Sequence, residues 1–168
     1  MKHSLKFIAF VTVALLFAAN TYGQVSATAN ATATIITPIG ITNSTDLAFG
    51  NVAANPTLTG TVVITPAGVR TAGGGATLPA VTGTFGVATF TVSGLGASTY
   101  AITLPAAATL TGTPSGTMTV DNFTSTPSGT GTLASGTQNI TVGGTLNVGA
   151  AQAAGSYTGT FSVTVNYN

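Results

Sequence analysis

The stretch "AGSYTGTFSVTVNYN" near the C-terminus alternates in character. Tyr157, Gly159, Phe161, Val163, Val165 and Tyr167 hold the odd positions, with Thr158, Thr160, Ser162, Thr164 and Asn166 between them. A period of two sends the two sets to opposite faces of a strand. "VSATANATATII" alternates in the same way through Val25, Ala27, Ala29, Ala31, Ala33 and Ile35. Shorter runs lie between these ends: "LAFGNV" around Leu47 and Phe49, "GTVVITP" up to Pro66, and "GTMTVDNFT" followed by the turn "STPSGTG". "TPAGVRTAGGGATLP" reads as a glycine-rich hairpin or loop carrying Arg70. "VATFTVSG" and "TYAITLP" are expected to pair around a turn at residues 94–97. "QNITVGGTLNV" reads as a hairpin folding at Gly143 and Gly144, because Gly-Gly suits the positive φ of tight hairpin turns. "AAQAAG" then links to a single final strand. Thr and Val favour pleated, half-buried surfaces. Many short strands at this spacing, with Gly, Pro, Asn and Ser turns, predict an all-β sandwich or barrel.

The start of the chain departs from this pattern. In "MKHSLKFIAFVTVALLFAANTYGQ", Lys2, His3 and Lys6 precede an apolar run from Phe7 to Ala19, and small residues follow before Gln24. That is the form of a secretory signal peptide. The run is shorter than the roughly 18 apolar residues a spanning helix needs. The expected organisation is a signal peptide over residues 1–23 and a single β-sandwich domain over residues 24–168. The mature chain would have no membrane span. It would be secreted, to the periplasm, the cell surface or the extracellular space. No cysteine occurs anywhere, so there is neither a lipid-modified cysteine nor a disulfide, and packing and hydrogen bonds must hold the fold.

Removing the signal also removes Lys2 and Lys6. Arg70 then stands alone against Asp46 and Asp121. A nucleic-acid binder needs clustered Lys and Arg, so nucleic acid is excluded as a partner. His, Cys, Glu and Lys are missing from the mature chain, which leaves few of the side chains used in general acid–base or nucleophilic catalysis. The expectation is no enzyme, no catalytic residues and no cofactor. Zinc lacks its usual ligands. Asp46 and Asp121 have the oxygen chemistry for calcium but not the spacing of a known loop, and the metal expectation is none. Asn-x-Thr triplets such as Asn122-Phe123-Thr124 arise readily in so threonine-rich a chain.

The stretches "LAFGNV", "ATFTVSGLGASTYAITLP", "MTVDNF", "VGGTLNV" and "AGSYTGTFSVTVNY" resemble the secreted bacterial domain-of-unknown-function family 4402. That family is itself similar to spore coat protein U-like domains. The two ends resemble chaperone–usher pilus subunits, whose C-terminal strand carries a tyrosine next to last and a glycine about fourteen places from the end. Tyr167 and Gly155 stand at those positions, with Phe161, Val163 and Val165 as the alternating contacts. This resemblance implies an immunoglobulin-like antiparallel β-sandwich lacking its last strand. The gap is filled first by a periplasmic chaperone and then by the N-terminal extension of another subunit, a form of strand addition. The donor strand would be Val25, Ala27, Ala29, Ala31, Ala33 and Ile35, and the C-terminal pairing strand Gly155, Phe161, Val163, Val165 and Tyr167. The implied partners are a second copy, giving a homopolymer, or a chaperone. Donor strands of that family usually present bulky apolar residues, whereas this one presents mostly alanine. The alternative is a self-complemented monomeric sandwich acting as an adhesin or presenting its threonine-rich face to polysaccharide or ice.

Overall fold

A computed structural model describes residues 23–168, so the expected signal segment falls outside the described residues except for Gly23. The chain divides into an N-terminal stretch up to residue 35 and a compact unit of residues 36–168. Within the described part of that N-terminal stretch, residues 23–35 form no strand and are exposed throughout. Val25 is 94% exposed and Ile35 99%. The strand expected over residues 25–35 therefore has no strand partner among the described residues. Alanines give a neighbouring sheet little to bury, at about 0.8 kcal/mol per CH₂.

The compact unit is all-β and antiparallel. Its strands are β1 (Gly40–Thr45), β2 (Ala48–Phe49), β3 (Gly60–Ile64), β4 (Arg70–Gly74), β5 (Phe85–Gly86), β6 (Ala88–Ser93), β7 (Thr99–Thr103), β8 (Ala107–Thr113), β9 (Thr117–Thr126), β10 (Thr130–Thr132), β11 (Thr137–Val148), β12 (Ser156–Thr158) and β13 (Thr164–Tyr167). The large sheet runs β1-β6-β11-β9-β8-β12, with β3 joining β11 to β4. A second sheet, β10-β7-β13, lies across part of it, and β2 pairs with β5. This is the sandwich that the alternation predicts.

Strand β11 is the spine. One of its edges pairs with β9. The other has two partners end to end, β6 along residues 137–142 and β3 along residues 144–148. This corrects the hairpin expected at Gly143 and Gly144, since the chain passes straight through both. Neither glycine has a positive φ. Gly143 sits where β11 changes partner. A Cβ there would run into the carbonyl oxygen of Ile64, as β3 ends beside it. Against β9 the register slips between Gly143 and Thr145, as at a bulge. The glycines thus serve close backbone approach rather than a turn.

Two further expectations are corrected. β6 and β7 do not pair with each other; β6 pairs with β1 and β11, and β7 with β10 and β13. Residues 94–97 form an arch from one sheet to the other. It is held by Gly94 N–H to Gly136 O at 2.9 Å and Ala97 N–H to Leu133 O at 2.6 Å. The arch lets Val92 and Tyr100 face one core from opposite sheets, which a hairpin would not allow. The C-terminal stretch is also not one strand. β12 pairs with β8 in the large sheet, β13 pairs with β7 in the small one, and residues 159–163 cross between them.

Two buried clusters follow from this layout. Ala88, Val92, Ile140 and Val142 of the large sheet meet Tyr100, Ile102 and Val165 of the small one. Phe49, Val62, Ile64, Val120, Leu146 and Val148 form the second. Leu47 and Phe123 pack against both. Each fully buried aliphatic or aromatic side chain contributes about 1.5–3 kcal/mol, so these clusters, in a chain without disulfides, carry the fold.

Candidate functional site: an open groove beside the sandwich

The small sheet leaves part of the large sheet's inner face uncovered. A groove of about 1120 Å³ opens there. Its floor includes Phe90 on β6, Leu110 on β8, Met118 on β9 and Leu146 on β11. Phe90, Leu110 and Met118 stay only half-buried. One wall is built from residues 43–54 and the other from residues 152–161. The first wall takes in the end of β1 and the two-residue β2, and the second the three-residue β12, each with irregular backbone beside it. β2 pairs only with β5, and β12 only with β8. A strand with one partner keeps a row of N–H and C=O groups for another.

Each wall is pinned by interactions that the alternation does not reveal. Arg70 donates through Nη1 to Thr82 O at 3.3 Å and through Nη2 to Asn51 O, with its guanidinium 5.0 Å above the Phe85 ring. Burial lowers its pKa from the ordinary value, and its Nε is buried without a partner. Asn51 adds N–H to Thr82 O at 2.7 Å and Nδ2 to Val81 O at 3.0 Å. Together these clamp residues 50–51 of the first wall to residues 81–85. The second wall is held by Tyr157, whose hydroxyl donates to Ala153 O at 2.7 Å and accepts from Gln152 Nε2 at 2.7 Å. Its ring lies where a Cβ at Gly112 would be. An aromatic facing a glycine across neighbouring strands was the available signal for this contact.

The sequence-predicted residues separate here. Gly155 and Phe161 line the groove. Gly155 is required by close approach, because a Cβ would meet Thr113 O. Val163 and Val165 instead point into the first buried cluster, and neither lines the groove. Tyr167 is bonded elsewhere: its hydroxyl donates to Thr37 O at 2.9 Å and accepts from Leu95 N–H at 2.6 Å. Val25, Ala27, Ala29, Ala31, Ala33 and Ile35 lie in the exposed, unpaired N-terminal stretch.

The groove offers little chemistry. Asp46 and Tyr157 are the titratable side chains along its lining, and Asp46 accepts from Asn43 Nδ2 at 2.6 Å. Asp121 belongs to β9, where it accepts from its neighbour Asn122 at 3.1 Å. Among the described residues, no group of three His, Cys, Asp or Glu side chains could hold a metal ion. Among the described residues there is no helix long and apolar enough to cross a membrane. On the outer face, hydroxyls join three strands: Ser44 Oγ lies 3.1 Å from Thr91 Oγ1, which donates to Asn139 Oδ1 at 3.0 Å.

Neither curated proteins nor solved structures provide a match to this chain. A family match does exist, over residues 39–167, and it takes in both walls and the floor of the groove. The chain belongs to the family described as a domain of unknown function, DUF4402.

Proposed function

We propose that this is a secreted, non-catalytic structural protein of the cell surface, a pilus-like subunit that assembles when its groove takes a β-strand from a second copy. One observation carries the reading. The same chain has a groove with an apolar floor, bordered by short strands with one strand partner each, and an alternating segment, residues 25–35, with no strand partner among the described residues. The groove exceeds the roughly 300–1,000 Å³ of ordinary small-molecule sites, and its walls suit an extended backbone. Before assembly, a strand from a periplasmic chaperone would fill the same place. The resemblance of Tyr167 and Gly155 to the C-terminal motif of pilus subunits supports the same reading. The scarcity of acid–base groups along the groove favours binding over catalysis.

The polar chain through the Ser44 and Thr91 hydroxyls and the Asn139 amide favours a second reading, a self-complemented monomer whose outer face binds polysaccharide or ice. One experiment separates the two. The mature protein and a form lacking residues 25–35 are compared by size exclusion with light scattering and by negative-stain imaging. Strand exchange gives ladders or fibres from the intact protein, and a truncated form stabilised by the corresponding peptide. A stable intact monomer, or fibres that survive the truncation, would remove strand exchange.

A further inference from the structure

The residues that follow the exposed segment read Thr37-Pro38-Ile39-Gly40. Proline suits the second position of a β-turn and glycine the fourth. Closed as a turn, they would reverse the chain and lay residues 25–35 back along their own β1, whose one strand partner is β6. A closed turn directs the first residue's carbonyl toward the N–H of the fourth. In this chain the Thr37 carbonyl instead accepts the Tyr167 hydroxyl, at 2.9 Å. That hydroxyl is itself fixed, because it accepts the Leu95 N–H at 2.6 Å. Its seat is shaped for it: a Cβ on Gly94 would collide with the Tyr167 oxygen. Ile39 packs against the first buried cluster, so the lead-in to β1 is held at two points.

We infer that Tyr167 is a positioning residue for assembly. Its hydroxyl keeps the lead-in from closing as a turn, and so favours capture of residues 25–35 by another copy over fold-back onto the same chain. This rests on the strand-exchange reading above and adds its regulation: the choice between self-complementation and polymer is set at the C-terminal end of the chain.

The test uses the full mature chain. Tyr167→Phe keeps the ring and removes both hydrogen bonds. A hydrogen bond contributes about 1 kcal/mol net, so the ratio of assembled to monomeric protein should fall about fivefold. In the monomer fraction, the amides of residues 25–35 should become protected from hydrogen exchange, which a loss of general stability would not produce. Gly94→Ala should act in the same direction. Pro38→Ala, which weakens the turn, should restore assembly to Tyr167→Phe. An unchanged assembled fraction in Tyr167→Phe, or no rescue by Pro38→Ala, would overturn the inference. A parallel arm isolates the underlying reading. The mature chain with A29P and A31P, which disable its own segment, is titrated with a labelled peptide of residues 24–36. Peptide binding together with unaltered Tyr167→Phe assembly rejects the Tyr167 role alone, whereas absence of binding rejects strand exchange and the Tyr167 role with it.

Discussion

The ring of Phe161 lies 4.8 Å from that of Phe123, tilted by 31°, at the point where the chain leaves β12 for β13. Phe90 meets the same ring edge-on, at 6.1 Å and 77°. Phe123 touches both buried clusters, so this trio joins them beside the groove. Phe161→Ala should cost about 3 kcal/mol of stability, read as a lower midpoint in denaturant, and should weaken peptide binding in the groove. Phe161→Leu should recover most of the stability. Equal stability in the alanine variant would show that the trio does not join the clusters.

Gly143 gives a prediction that separates a junction from a turn. Gly143→Ala would press a methyl onto the backbone at Ile64 and should lower stability by about 1–3 kcal/mol. Gly143→Asn should be no better, although asparagine suits hairpin turns. Gly144→Ala meets the side chains of Phe123 and Val120 at 3.2 Å and the Asp121 carbonyl at an ordinary 3.4 Å, and should cost less. Thermal unfolding of the three variants decides the matter.

Arg70 clamps the first wall of the groove through two carbonyls and one ring. Arg70→Met should cost about 2 kcal/mol and raise the hydrogen-exchange rate of the Asn51 amide. Arg70→Lys should restore little, because the ammonium lacks the planar fork that reaches both carbonyls. Full rescue by lysine would show that charge alone suffices.

Tyr100 is fully buried and donates to Gln138 Oε1 at 2.7 Å. Desolvation raises its pKa above 10.0. Above that pH the unfolded chain gives up the phenol proton more readily than the folded one. The unfolded state then binds fewer protons, and stability falls as pH rises. Denaturant midpoints should therefore decline above about pH 10. Tyr100→Phe should be less stable at neutral pH yet lose most of that decline.

Association should depend only weakly on salt. Residues 24–168 carry Arg70, Asp46 and Asp121 as their charged side chains, and Arg70 is engaged within the fold. Screening acts on exposed charges, so raising ionic strength tenfold should change the assembled fraction by less than about twofold. A steep dependence on light scattering would point to a charged partner surface.

Much of the fold was legible because burial follows the period-two pattern. In β3, Gly60, Val62 and Ile64 are buried and alternate with half-buried Thr61 and Val63. Alternation does not record which strand lies alongside. The run 157–167 keeps its rhythm while changing sheets, since a crossing of five residues preserves which side faces the core. A glycine pair is compatible with a tight turn and with two backbones in close approach, and at Gly143 the second applies. The turn at residues 94–97 was correctly placed, but a reversal within one sheet and an arch between two share the same residues. At the groove, Gly155 and Phe161 were named only through the resemblance to pilus subunits, as parts of a C-terminal pairing strand, and that motif did not mark them as groove lining. The clamp of Arg70 on Asn51 and Thr82 was not legible, because it joins backbone carbonyls that have no sequence signature.

The Arg70 clamp also bears on resistance to proteolysis. Residues 24–168 contain no lysine and one arginine. A trypsin-like protease must place a lysine or arginine in its acidic specificity pocket. The one side chain it could use is spread over the Phe85 ring with both terminal nitrogens donated to the chain. The folded domain therefore presents such proteases with no free cleavage point, and the bonds that shape the groove also shield the protein from digestion.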